Sequence, residues 1–214
     1  MDTDDWLADT RTSYDTVAED YADQVRGLLD ETPYERAVLA LFAGLVGSSG
    51  GGPVADVGCG PGRITAHLNG LGVDAFGIDL SPAMIQVARR EHPGVRFDVG
   101  SMTDLDLPDR SVAGLVAWYS LIHVPDDAVG AVLTHFRRAL RPGGPLLLAF
   151  HAGEGTRLKT QGYGGHPMKV RVHLRRPDRM AAWLGDAGFT VEAQMTLTSA
   201  ESRLGAILFA RRDG

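Results

Sequence analysis

Apolar residues in the middle of this chain fall in short blocks, and between them lie stretches whose apolar positions recur every third or fourth residue. The blocks at 54–57, 74–78, 95–99, 112–118 and 146–150 are predicted to be strands, and the stretches at about 62–71, 82–91 and 127–140 helices. Alternation of this kind implies a parallel sheet with helices on both faces, because parallel neighbours need a crossover between them. Two further helices are expected ahead of it, at 13–29 and 33–47, with Pro33 suited to a first helical turn and SSGGGP at 48–53 as a flexible joint. The rhythm breaks at the end. A helix at about 177–187 should stop at Gly188, and strands at 189–198 and 203–210, joined by a turn near Ala200–Ser202, can only form an antiparallel hairpin. The expectation is a seven-stranded sheet, mostly parallel, with an antiparallel last strand.

With 214 residues, 44% of them hydrophobic and 22% charged, the chain suits one α/β domain over 1–214. Its parts are a helical N-terminal flap at 1–50, a core at 54–150, an insertion at 151–176 and the final helix and hairpin at 177–211. Cys59 is the single cysteine, which excludes an internal disulfide and points to a reducing compartment. An acidic N-terminus and the lack of a long uncharged apolar run argue against a secretory signal and a membrane span, so a cytoplasmic location is expected. A net charge of −6 disfavours nucleic acid as a partner. The charge is uneven: the first 60 residues hold twelve acids and three arginines, whereas residues 157–179 hold seven Arg/Lys and one acid, Asp178.

The candidate chemistry starts at residues 54–63, VADVGCGPGR. A buried strand that opens through Gly58, Gly60 and Gly62 onto a helix N-terminus is a nucleotide-binding corner, where the backbone can press against a ligand. A dinucleotide fingerprint would place its third glycine at 63, which is Arg63, and Pro61 removes an N–H that a pyrophosphate would use. Asp79, about 20 residues beyond the loop, is placed to accept hydrogen bonds from ribose hydroxyls. Ser81 and Pro82 read as the N-cap and first residue of the next helix. Cys59 has no activating neighbour in sequence and reads as packing. No Cys/His cluster has metal-ligand spacing, so no metal is expected.

VADVGCGPGR, FGIDLSPAMIQVARR, FDVGSMTDLDLPDRSVAGLVAWYSLIHVPD and ALRPGGPLLLAF together resemble the successive motifs of class I S-adenosylmethionine-dependent methyltransferases, over roughly residues 13–211. YDTVAEDYAD resembles the opening helix of the small-molecule branch. The resemblance implies a Rossmann-like fold, S-adenosylmethionine as cofactor, S-adenosylhomocysteine as product, and methyl transfer to an O or N atom of a small molecule. It places Asp56, Gly58, Gly60 and Gly62 at the methionine and ribose part of the cofactor, Asp79 at the ribose, and Leu80, Ser101 and Met102 at the adenine. Trp118, Tyr119 and Ser120 would line the methionine end, with Tyr14 and Tyr21 closing over it. His123 falls where acceptor-side groups lie and is a candidate general base, since its ordinary pKa of about 6.5 suits neutral pH; His151 is a second candidate. The insertion, with Tyr163, His166 and His173, should lie over the ligand end of the sheet. There, Arg157, Lys159, Lys169 or Arg171 would favour an acceptor bearing carboxylate or phosphate.

Two other readings compete. Against a nicotinamide-dependent oxidoreductase stand Arg63 and the terminal hairpin. Against a regulatory or scaffold protein that binds the cofactor without turnover stand the intact loop, Asp79 and the aromatic end of the fourth strand. The sequence also lacks the Asn/Asp-Pro-Pro-aromatic tetrapeptide of nucleic-acid methylases.

Overall fold

Residues 3–198 and 204–214 are described by a computed structural model of the chain. It begins with three helices, α1 (Thr3–Val25), α2 (Leu28–Glu31) and α3 (Pro33–Ser48). Then β1 (Val54–Val57), α4 (Arg63–Gly70), β2 (Ala75–Asp79), α5 (Pro82–Glu91), β3 (Phe97–Val99), β4 (Gly114–Trp118), α6 (Asp126–Ala139) and β5 (Pro145–His151) alternate as the hydrophobic pattern predicts. The chain ends with β6 (Thr156–Gln161), β7 (Pro167–His173), α7 (Pro177–Asp186), β8 (Phe189–Thr198) and β9 (Leu204–Arg212).

The main sheet has seven strands in the order β3-β2-β1-β4-β5-β9-β8. β1 pairs in parallel with β2 through Val54 and Ala75 and with β4 through Val54 and Gly114. Chain direction reverses only at β9, which runs antiparallel to β5 from Pro145 opposite Arg211 to His151 opposite Gly205. The order of connection turns back between β1 and β4, and a crevice opens there beyond the carboxyl ends of the strands. The turn expected near Ala200–Ser202 lies outside the described residues.

Strand residues alternate between two cores. Leu115, Ala117, Leu146 and Leu148 face Val129, Val132, Leu133 and Phe136 of α6 and Met180 and Leu184 of α7. Val116, Trp118, Leu147 and Ala149 join Leu39, Phe42 and Val46 of α3 and Ile64 and Leu68 of α4. Burial on both faces explains why these strands read as near-continuous apolar runs. Among the described residues, no helix is long and apolar enough to cross a membrane.

Two elements depart from the hydrophobic pattern. α1 starts at Thr3, ten residues before the predicted helix, through the acidic segment around Trp6. Acids suit a first helical turn, and Trp6 packs against the α6-side core. The insertion holds a hairpin for which no strands are predicted: β6 and β7 pair antiparallel, Thr156 opposite His173 and Lys159 opposite Val170. Met168 and Val170 are buried with Val17 of α1, while Lys169 and Arg171, on either side of Val170, are exposed.

Candidate active site

β1 delivers the chain into a loop held almost entirely by backbone. Gly58 and Cys59 donate their N–H groups to the Ile78 carbonyl at 2.7 and 3.1 Å, which pins the loop to the end of β2. Gly58 has φ +79°, and a Cβ there would lie 2.2 Å from Ser120 Cβ. Gly62 has φ +84°, and a Cβ would meet the Phe97 ring at 2.6 Å. Both positions therefore require glycine.

Two carboxylates flank this loop, Asp56 buried and Asp79 half-buried. Asp79 accepts from Gly60 N through Oδ2 and from Ser81 N through Oδ1, both at 2.8 Å, so one side chain fixes the glycine loop and the start of α5. Burial raises its carboxyl to about 6, against the pull of those two N–H donors. Asp56 accepts from Thr65 Oγ1 at 2.7 Å through Oδ2, and its Oδ1 is buried with no partner. Burial raises it to about 7, with the Thr65 bond and the Arg63 charge opposing. Ser81 caps α5 by accepting from Met84 N at 3.1 Å, and Asp15 of α1 accepts from Ser81 Oγ at 2.6 Å.

Over the loop lies a cavity of about 920 Å³, open mouth included. Its size falls within the range of small-molecule sites. Asp56, Gly58 and Gly60 come to it from β1, Asp79 and Leu80 from β2, Ser101 and Met102 from beyond β3. Trp118 and Ser120 line it from the end of β4, and Tyr14 and Tyr21 from α1. Between Trp118 and Ser120, Tyr119 adopts φ +53°, a left-handed conformation that costs a non-glycine residue on the order of 1–3 kcal/mol. Its ring meets Trp118 edge-on at 5.9 Å.

His123, in a one-turn 3₁₀ segment at Leu121–His123, is buried at the cavity wall. Its Nδ1 lies 2.8 Å from the Arg171 carbonyl and its Nε2 2.8 Å from Tyr14 Oη. A carbonyl can only accept, so Nδ1 carries the proton and Nε2 accepts the Tyr14 O–H. Burial lowers the imidazole to about 4, only partly offset by the Arg171 carbonyl. Burial also raises the Tyr14 phenol well above its usual range, with Tyr21 and Tyr163 adding to it. Both rings are neutral at pH 7, and the one lone pair that could serve as a base is already engaged.

Two predicted positions do not reach the cavity. Gly62 caps α4 behind the loop, packed against Phe97. His151 ends β5 and packs against Tyr119, ring centroids 5.1 Å apart and tilted by 44°, and does not line the cavity. The basic insertion is also corrected: none of Arg157, Lys159, Lys169 and Arg171 lines the cavity. Lys169 Nζ pairs with Asp9 at 2.8 Å, His166 Nε2 with Asp20 at 2.9 Å, and Lys159 lies 3.7 Å over the Tyr163 ring. The Lys169 amide donates to Ser13 Oγ at 2.8 Å. The basic block clasps the acidic first helix, with Lys169 and Asp9 as a pair of opposite charges. Cys59 is buried against Ile85, Ala88 and Phe97, and burial raises its thiol well above the usual range, as expected of packing.

Sequence reasoning missed Trp6, Leu7, Thr10 and Arg11 of α1, and Arg63 and Ile64 of α4, all of which line the cavity. An aromatic within an acidic run was the available signal for Trp6.

A family model described as a methyltransferase domain matches residues 54–144. The chain is 31% identical over 182 residues to a ubiquinone biosynthesis O-methyltransferase of Xylella fastidiosa (strain M23), covering 78% of this chain and 72% of that protein. It is 30% identical over 145 residues to a demethylmenaquinone methyltransferase of Tropheryma whipplei (strain Twist), covering 66% of this chain and 58% of that one. Several curated relatives are spanned over less than two thirds of their length, from 35% to 64%. In fold, the chain is similar to the 1,6-didemethyltoxoflavin-N1-methyltransferase of Burkholderia thailandensis, solved with 1,6-didemethyltoxoflavin and S-adenosylhomocysteine. The TM-score is 0.74 at 23% identity, over 100% of this chain and 92% of that chain.

Proposed function

The chain belongs to the class I S-adenosylmethionine-dependent methyltransferase family, and from that premise we propose that its cavity binds S-adenosylmethionine and directs the methyl group to an O or N atom of a small molecule. One observation carries this reading: two carboxylates with unused acceptor capacity, Asp56 buried and Asp79 half-buried, stand on either side of a glycine loop at the topological switch point. Each Asp79 oxygen accepts one amide, and a carboxylate offers roughly four acceptor sites, so two remain for a ribose diol. The orphaned Asp56 Oδ1 suits an ammonium group. The residues therefore fit the cofactor.

Bound there, the cofactor supplies a methyl group on a sulfonium that needs no further activation. The protein's part is to hold the acceptor in line and keep water out; positioning of this kind is worth roughly 7–11 kcal/mol. Trp118, Tyr119, Tyr14 and Tyr21 would form the aromatic wall that excludes water. We assign His123 to positioning. Its neutral ring holds the Tyr14 hydroxyl through Nε2, and its low basicity and engaged lone pair do not suit a general base. We do not retain His151 as a base, since it stands behind Tyr119. An anionic acceptor loses its support, because none of the four basic residues expected to hold it lines the cavity, and Lys169 pairs with Asp9 of α1.

Relatives named as O-methyltransferases make oxygen the first acceptor atom to try. The net charge of −6 argues against nucleic acid as acceptor, and a lone buried thiol suits the cytoplasm. Titration calorimetry with S-adenosylmethionine, followed by S-adenosylhomocysteine release against a panel of phenols, hydroxy acids and heterocyclic amines, tests the reading. A folded chain that binds neither cofactor nor product at about 1 mM, near −4 kcal/mol, would sink it.

A further inference from the structure

Two consecutive residues at the end of β4 leave the strand in opposite directions. Ser120 turns toward β1: its Oγ donates to the Val57 carbonyl at 2.7 Å, and its Cβ stands where a side chain on Gly58 would go. Tyr119 turns the other way. Its N–H donates to the Ala149 carbonyl of β5 at 2.8 Å, and its ring packs on His151 of the same strand. Its hydroxyl lies 2.6 Å from the place a Cβ on Gly205 of β9 would take. Gly205 has no positive φ, so its backbone does not call for glycine; the close approach of Tyr119 does. The left-handed backbone of Tyr119 lies at this divide, and such strain persists where the surroundings hold it in place.

The sheet order gives the divide a meaning. β1, β2 and β3 lie on one side of β4 and bring Asp56, Gly58, Gly60 and Asp79 to the cavity, with Ser101 just beyond β3. β5, β9 and β8 lie on the other side, and none of their described residues lines it. Toward β5 the cavity therefore ends on one phenol ring. That ring is held from behind by His151 and by the bare backbone of Gly205, and edge-on by Trp118.

Resting on the cofactor reading above, with the cofactor on the β1–β2 side, we propose that the methyl acceptor lies on the β4–β5 side and that Tyr119 sets how large it can be. The wall is aromatic, so the acceptor it fits carries a flat apolar ring. Gly205 and His151 act on the acceptor only through Tyr119, as positioning residues.

Titration calorimetry on folded protein separates this assignment from the cofactor reading: S-adenosylhomocysteine is titrated first, then phenol and 2-naphthol into the saturated protein. Tyr119→Gly removes the ring and suits the left-handed backbone. Its preference for 2-naphthol over phenol should rise about 10-fold, which roughly 55 Å² of further buried apolar surface supplies. Gly205→Ala lies outside the cavity, and its Cβ should displace the ring inward, so the same preference should fall about 3-fold. S-adenosylhomocysteine should bind the parent and both variants within about 3-fold of one another. The assignment is overturned, with the cofactor reading intact, by a preference that moves in neither variant or rises in Gly205→Ala. Equal loss of S-adenosylhomocysteine affinity, or no binding of either probe to any of the three complexes, overturns it too. Should Tyr119→Gly not fold, the direction of the Gly205→Ala shift decides alone. A parent chain that does not bind S-adenosylhomocysteine overturns both readings.

Discussion

The floor and the roof of the cavity are built by opposite means. The floor, at the ends of β1 and β2, is backbone held to backbone and to Asp79, and it leaves Asp56 Oδ1, Arg63 Nη1 and Trp118 Nε1 without partners. The roof, α1 with the β6–β7 hairpin, is joined by polar side chains that meet one another, Lys169 Nζ with Asp9 and His166 Nε2 with Asp20. Unmet polarity lies at the cavity wall, the roof's Trp6 Nε1 included, with His173 Nε2 of β7 a further buried orphan, whereas the contacts that join the two roof segments pair polar groups with each other. Buried orphans cost stability and so indicate a binding site; exposed ion pairs contribute little and indicate closure.

Breaking the floor should have the largest effect. Gly58→Ala places a Cβ 2.2 Å from Ser120 Cβ at φ +79°, and should cost about 3 kcal/mol or more of stability and abolish cofactor binding, read by thermal melting and calorimetry. Asp79→Asn keeps the shape but removes the charge that receives two amides; S-adenosylmethionine affinity should fall roughly 10- to 100-fold. The same affinity should depend on pH. Cofactor hydroxyl and ammonium groups favour ionised carboxylates, so binding should reach its full value roughly a unit above the Asp56 value of about 7 and decline as pH falls through that value and the Asp79 value of about 6.

The roof should respond more weakly. Tyr14→Phe strands His123 Nε2 and should destabilise by about 1–2 kcal/mol, the cost of an unpaired buried acceptor. Because burial keeps His123 near 4, the kcat/KM profile of the parent chain should show no limb from it between pH 6 and 8. Lys169→Ala should be smallest, roughly 0.2–1 kcal/mol at low salt and nothing measurable at about 0.5 M. A roof substitution that cost more than Gly58→Ala would overturn the comparison.

Legibility from sequence followed the same division. The floor is local. VADVGCGPGR is one continuous run, Asp79 ends the next strand, and the Ser81 cap sits two residues on, so spacing alone located them. The two-core sheet was equally readable, because doubly buried strands announce themselves as apolar blocks. The roof is non-local. Lys169 and Asp9 are 160 residues apart in number, and no charge pattern in either segment names its partner. The alternation of Met168, Val170 and Val172 did signal a strand, but glycines and basic residues around it obscured the period. The start of α1 lacks apolar periodicity, and tertiary packing of Trp6 overrides its weak propensity. Arg63 was noticed only as a missing glycine, since burial without a partner is a property no sequence displays.

The His123 ring joins three segments at once: Tyr14 in α1, the 3₁₀ turn, and Arg171 in β7, across separations of 109 and 48 residues. Loop closure over such distances must precede any reward from the contact, so this junction belongs to the late steps of folding, after β1, β4 and β5 have assembled. By the same logic it is among the first to let go. Amide hydrogen exchange should find α1 and β7 opening together as one cooperative unit while the central strands stay protected.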